Sequence, residues 1–441
     1  MPSRLVPVLL TMAVAGCDDP GEPAAKLVMT PALPVPAATA TATTSATAES
    51  RPRPMPKTTA DCFDVADDWL PRRDSQETGL DGEAIDALIA GAEAAQSDAL
   101  IVIANDHVVV DRRFGQPLGP IESLSLTKSV VALAILALVA DGDIASLDTP
   151  LSHYFPEFQA PAKAAVTLRH VLQHSSGLQH DHDDADGLNA QRDRLAFVRQ
   201  LPVTTPPGTH YSYNNEATQL LSGVVSRAAG KPLDAYVAER LFEPLGIEAG
   251  WARDAAGTVQ IYYGLRITAR ALATLGLLLL HEGKHRGDEL LPAPLVRALW
   301  QPSPTSISTG LLFWRRSNLV LVDDATTLAP QAPGLTALAG RIFRSETELF
   351  EVLTRELPPA QQVGLAAAHR RTSLVRELDD GAVGFFAVGG LGQRLLIHPP
   401  ANLVAVRQHR RRPGDDRRQR LVSYRDFHDQ VEALHPALAR A

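Results

Sequence analysis

Cysteine is scarce: the 441 residues hold two, which excludes a scaffold built on disulfides. Aromatic residues make up only 5%, too few for base stacking to be the main business of the surface. A basic excess is missing as well. Lys and Arg number 42 against 50 Asp and Glu, for a net charge of −8, so no overall positive field awaits nucleic acid. The strongest apolar runs, Leu5 to Ala15 and Ala269 to His281, are shorter than the ~18 residues a membrane-spanning helix requires. What is abundant is hydrophobic residues, at 45%, enough to core one large or two medium globular domains.

The first residues have the form of an export signal. Arg4 gives a positive start, and the apolar run after it ends in Val14-Ala15-Gly16-Cys17. Small residues before a cysteine at that point resemble the lipobox of bacterial lipoproteins. The resemblance implies cleavage after residue 17's predecessor, lipidation of Cys17, and an exported, membrane-anchored protein of the bacterial cell envelope or periplasm. Cys62 would then have no disulfide partner. Residues 18–61 are rich in Pro, Ala and Thr. Such a stretch cannot bury enough apolar surface to offset its chain entropy, and it reads as a disordered tether.

The folded part is predicted over 62–441. Leu80 to Ala95 has helical apolar spacing, and Ala99–Ala104 with Val108–Val110 forms a hairpin about Asn105-Asp106-His107. A buried helix runs from Ser125 to Gly142, and further helices are predicted over Glu216–Ala229, Leu233–Phe242 and Ala269–His281. Ser345–Leu357 and Gln361–Leu378 read as helices. Phe385–Val388, Leu395–His398 and Leu403–Gln408 read as strands, and Tyr424–Leu438 as a closing helix. The histidines and aspartates from His180 to Asp186 match no defined metal frame and read as a solvated acidic loop. No metal or organic cofactor is expected. Arg410–Arg420 reads as a solvated basic loop.

Three features carry chemistry. Ser125-Leu126-Thr127-Lys128 opens the buried helix. Residues i and i+3 share a helix face, so the amine can reach the hydroxyl. Partial burial favours a neutral amine, and the helix dipole favours an oxyanion. A serine needs such help to become a nucleophile. By itself the tetrapeptide equally suits a helix cap with a solvated lysine. Tyr213-Asn214-Asn215 follows the Pro206-Pro207-Gly208 turn and supplies a phenol and a carboxamide. Val388-Gly389-Gly390-Leu391-Gly392-Gln393 can lay bare backbone against a substrate carbonyl.

Taken in order, these segments resemble the serine β-lactamase and penicillin-binding-protein superfamily, in particular the class C β-lactamase-related hydrolases with their esterase and 6-aminohexanoate-dimer hydrolase branches. Val166–His170 through Leu178, Glu243–Gly246 and Gly264–Thr268 support the resemblance. It implies an α/β (α+β) fold: an antiparallel sheet flanked by helices (62–119 and 311–441), a mostly helical inserted region (120–310), and an insertion over about 317–380. It implies Ser125 as the acylated nucleophile, Lys128 as its proton acceptor and Tyr213 as general base. Asn215 would orient Lys128 and the substrate. Gly390, Gly392 and Gln393 would form the substrate edge, with a backbone N–H near Gln393 in the oxyanion hole. The chain departs from the family at this third motif. Where classes A and C carry Lys-Thr-Gly, Gly390-Leu391-Gly392 offers no cation for a carboxylate. The expected activity is therefore hydrolysis of a small-molecule or peptide-like ester or amide. A true β-lactamase or D,D-peptidase, and a catalytically quiet binding or sensor protein of the same fold, are the alternatives.

Overall fold

The computed structural model describes residues 69–115, 119–180, 187–321, 338, 340–358, 375–412 and 427–438. Cys17, Cys62, the export signal and the tether lie outside them. Among the described residues no helix is long and apolar enough to cross a membrane.

Helix α1 (Gly82–Ala94) starts at Asp81, whose side chain accepts the Ala84 N–H. The hairpin follows as predicted. Strand β1 (Ala99–Ala104) turns through Asn105 and Asp106, both at positive φ, into β2 (His107–Arg113). Two consecutive left-handed residues give the turn a twist that suits a hairpin, and Asn and Asp tolerate that geometry best after glycine. Helix α2 (Leu126–Asp141) stops at Gly142, whose φ of 84° closes the last turn. Helices α3 (Leu168–Leu172), α4 (Asn215–Ala228) and α5 (Ala269–Leu280) complete the frame around it. Short strands β3 (Ile121–Glu122), β4 (Gly250–Trp251) and β5 (Leu265–Ile267) pair beside them, as do β6 (Lys284–His285) and β7 (Asp288–Glu289).

The chain then returns to the main sheet with β8 (Trp314–Leu321), β9 (Val375–Gly389), β10 (Gln393–His398) and β11 (Leu403–Gln408). Six antiparallel strands run in the order β2-β1-β11-β10-β9-β8. Ala99 lies opposite Gln408 and Ala104 opposite Leu403, so the first strand is held between its hairpin partner and the last.

Strand β1 is buried along its whole length because both faces of the sheet are covered. Alternate residues serve alternate layers. Ile101 and Ile103 join the core under α2 and α5. Leu100, Val102 and Ala104 join Ile85 and Leu88 of α1 and Phe427 and Val431 of the C-terminal segment. Helix α5 lies close on the sheet at Gly276, where a β-carbon would come within 2.6 Å of Val404. Every residue of α2 from Leu126 to Leu138 is buried. At roughly 1.5–3 kcal/mol per large aliphatic side chain, this helix is a main source of the fold's stability.

Two predicted elements change. Gln361–Leu378 was expected to be helical, but Val375–Leu378 belong to β9 and pair with Leu319–Leu321, while 359–374 lie outside the described residues. A short apolar pattern fits either period, and here the neighbouring strand decides. Residues 317–321 and 375–380, the two ends of the expected insertion, are therefore sheet strands. Between them lies α6 (Glu346–Glu356), inside the predicted Ser345–Leu357 helix and capped by Ser345. The closing helix is shorter than expected: α7 covers 427–432 and only a 3-10 turn, Pro436–Leu438, follows. Proline disfavours a helical conformation in the residue before it, here His435.

A buried ionic cluster ties α7 to the sheet. Glu432 meets Arg316 at 2.7 Å and Arg344 at 3.4 Å, and Arg344 also bonds Asn318 and the Leu438 carbonyl. Burial pushes the Glu432 carboxyl up, but Arg316 and the other surrounding cations outweigh it and leave it below the usual carboxylate range. His398 and His428 are buried beside the cluster, and burial above all holds both imidazoles below their ordinary value; Arg316 adds to this at each, while Glu432 opposes it at His398.

Candidate active site

Ser125 is the N-cap of α2 and makes no side-chain capping bond there. Its hydroxyl is instead met by Lys128 from the next turn. Lys128 Nζ donates to Ser125 Oγ at 3.0 Å and to the Tyr262 carbonyl at 2.7 Å. Lys128 as a whole is only 2% exposed. Its amine lies 5.0 Å from the centre of the Tyr213 ring. The other polar side chains of this first turn act as fasteners: Thr127 Oγ1 accepts the Leu265 N–H, and Ser129 Oγ donates to the Leu312 carbonyl. This accounts for four polar residues at the start of an otherwise apolar helix.

The second predicted segment stands where the sequence placed it, in front of α4. Asn214 is the cap: its Oδ1 accepts the Ala217 N–H and its Nδ2 donates to the Leu178 carbonyl. Asn215, expected to orient Lys128, is the first residue of the helix, and its buried Oδ1 has no hydrogen-bond partner. Such an acceptor is costly to leave unmade and is suited to a substrate N–H or a water.

The third segment sits one step differently from expectation. Gly390-Leu391-Gly392 forms the turn between β9 and β10. Gln393 faces away from the nucleophile in its bonding: its Nε2 donates to the His409 carbonyl and its Oε1 accepts the His409 N–H. The residue that reaches the cleft is Val388. Next to it, Gly389 packs so closely that a β-carbon would come within 2.1 Å of the Ser123 carbonyl. The glycine packed against the segment leading into Ser125 is therefore Gly389, ahead of the predicted Gly390 and Gly392.

Ser125, Lys128 and Tyr213 share a narrow cleft, lined also by Ser129, His174, Thr309, Gly310, Leu312, Phe313, Trp314 and Val388. Trp314 stacks over Tyr213 at 6.4 Å and 19°. Besides Lys128 the lining carries no lysine or arginine. The sequence reading missed His174, Leu312 and Trp314. His174 had a signal, its place in the His174–Leu178 segment, but the other two reach the cleft only through long-range packing.

Backbone strain gathers here. Leu124 (φ 49°), immediately before the nucleophile, and His174 (52°), Leu312 (56°) and Leu391 (57°) are all left-handed without being glycine. Each costs roughly 1–3 kcal/mol, and such residues cluster at functional sites because the surrounding structure holds them there. His180, at the edge of the acidic loop, bonds Ser212 Oγ at 2.7 Å, while 181–186 lie outside the described residues. Among the described residues no group of three or more His, Cys, Asp or Glu could hold a metal.

Comparison with known proteins agrees with this geometry. Esterase EstB of Burkholderia gladioli is 34% identical over 163 residues, covering 32% of this chain and 41% of the esterase. A D-aminopeptidase of Brucella anthropi is 26% identical over 170 residues, covering 36% of this chain and 32% of the peptidase. The chain thus spans less than half the length of either relative. In structure it is similar to a candidate 6-aminohexanoate-dimer hydrolase from Bacillus anthracis, with a TM-score of 0.58, 20% identity, and coverage of 82% and 86% of the two chains. The Beta-lactamase family model matches residues 85–428, most of the chain and all the segments that build the cleft, and the chain belongs to that family.

Proposed function

We propose that the protein is a serine hydrolase that opens an ester or amide bond through an acyl-enzyme on Ser125. The observation that carries this reading is the Lys128–Ser125 contact at 3.0 Å inside a cleft shared with Tyr213. In the reaction a neutral Lys128 accepts the Ser125 proton as Oγ attacks the carbonyl carbon. The oxyanion forms at the N-terminus of α2, where the Ser125 backbone N–H and the helix dipole stabilise it. Tyr213 hands a proton to the leaving group, and the same residues activate water for deacylation.

The walls of Leu312, Phe313, Trp314 and Val388 favour an uncharged, apolar acyl group. With no arginine in the lining, a carboxylate beside the scissile bond has no guanidinium to meet, so esters and simple amides are favoured over β-lactams and D,D-peptides. The test uses a fluorophosphonate probe with a panel of p-nitrophenyl esters, D-amino-acid amides and β-lactams. Labelling and turnover should vanish in Ser125→Ala. Lys128→Met and Tyr213→Phe should each lose about 10²- to 10⁴-fold in kcat. A folded wild-type protein that neither labels nor turns over any of these substrates would instead support the catalytically quiet reading. Faster turnover of β-lactams than of esters would reinstate the β-lactamase reading.

We further propose export and anchoring by a lipid on Cys17, supported by the Val14–Cys17 motif. Cys17→Ala should move the protein from the membrane fraction to the soluble one. An unchanged distribution would refute the anchor.

A further inference from the structure

His174 lines the cleft, yet the proposed reaction gives it no task. Two of its hydrogen bonds go to one neighbouring segment. The His174 carbonyl accepts the Ser212 N–H at 2.7 Å, and its Nδ1 accepts the Asn214 N–H at 3.2 Å. These are the two backbone amides on either side of Tyr213. The imidazole also packs on the Tyr213 ring, with centroids 4.4 Å apart, and meets Tyr211 edge-on at 6.0 Å. One residue thus holds Tyr213 before, behind and across its face. The hold depends on the positive φ of His174, because its carbonyl and its ring must both point to residues 212–214. An Nδ1 that accepts a bond leaves the hydrogen of a neutral imidazole on Nε2.

We infer that His174 is a positioning residue that sets the Tyr213 phenol against Lys128 and Ser125 through its grip on the 212 and 214 amides. The inference rests on the serine-hydrolase reading above. It separates the ring from the acceptor. His174→Phe keeps an aromatic surface but loses Nδ1. His174→Asn loses the ring but offers an oxygen near the Nδ1 position, and Asn tolerates the left-handed backbone.

The experiment measures p-nitrophenyl acetate kinetics, fluorophosphonate labelling rates and thermal melts on the full chain. His174→Phe should lose about 10- to 100-fold in kcat with KM within about threefold, since misplacing a catalytic group by an ångström has effects of this size. His174→Asn should recover most of that loss. In a Tyr213→Phe background, His174→Phe should cost less than about twofold, because the group it positions is already gone. Additive losses would overturn the inference, as would a fully active His174→Phe or activity that falls only with the folded fraction. Wild type that is labelled at Ser125 at the same rate as His174→Phe overturns this inference alone. Wild type that is not labelled removes the hydrolase reading and this inference with it.

Discussion

Gly389 shows how little room the site leaves beside the segment that leads into Ser125. Its φ of −128° suits any residue, so space and not conformation demands the glycine. A β-carbon there would sit 2.1 Å from the Ser123 carbonyl, two residues before Ser125. Gly389→Ala must therefore push β9 away from the start of α2. The expected result is at least a tenfold loss of kcat, in line with the cost of ångström-scale misplacement, with a lower melting temperature. Unchanged turnover of p-nitrophenyl acetate would show that β9 is not part of the reacting edge. The Ser125–Lys128 contact was legible in the sequence because helix periodicity fixes it locally, whereas Tyr213 was brought to them by the family resemblance of its segment. Val388 and Gly389 were not legible. The glycine-rich stretch was visible, but which of its residues meets Ser123 depends on the β9–β10 register, set by partners such as Leu395 and Ala387 across the sheet.

At the scale of elements, α7 is held by charge as much as by its apolar contacts. Glu432 faces Arg316 and Arg344 in a buried setting, with Asp429 as a second partner of Arg316. Removing one side of such a cluster leaves a desolvated charge and costs about 3–5 kcal/mol. Glu432→Gln should lower stability by about that amount in urea unfolding, while Glu432→Gln with Arg316→Met should recover part of the loss. If the single variant melts like wild type, the cluster does not hold α7. The hairpin, α2 and α5 could be read from the sequence because each has its own period and a marked boundary: the Asn105-Asp106 turn, Gly142 at the end of α2 and Thr268 at the start of α5. Strand β8 and the first half of β9 could not. They are defined by each other, and residues such as Arg315 and Glu377 look like surface residues until pairing across β8 and β9 brings them together at 3.0 Å.

For the whole molecule, acid is the expected weakness. His398 and His428 both titrate below their ordinary value of about 6.5 in the folded state. Below that pH the unfolded chain takes up protons that the folded one resists, so stability is full above about 6.5 and falls as the pH drops toward the folded values. Glu432, held below the usual carboxylate range, adds a second loss at lower pH still. Melting temperature should fall from pH 7 to pH 5 at constant ionic strength, and His428→Phe should flatten the upper part of that fall. A melting temperature independent of pH over this range would contradict it. The sheet order carries one more consequence, for synthesis. Strand β1 has Leu403–Gln408 as one of its two neighbours, and the cleft wall needs Trp314 and Val388 from strands made after the whole helical region. A ribosome delivers Ser125 and Lys128 early, as a very apolar helix with no sheet to cover it. Ser125 and Lys128 are thus in place in the chain long before they have a pocket, and the proposed chemistry has no site until Trp314 and Val388 arrive.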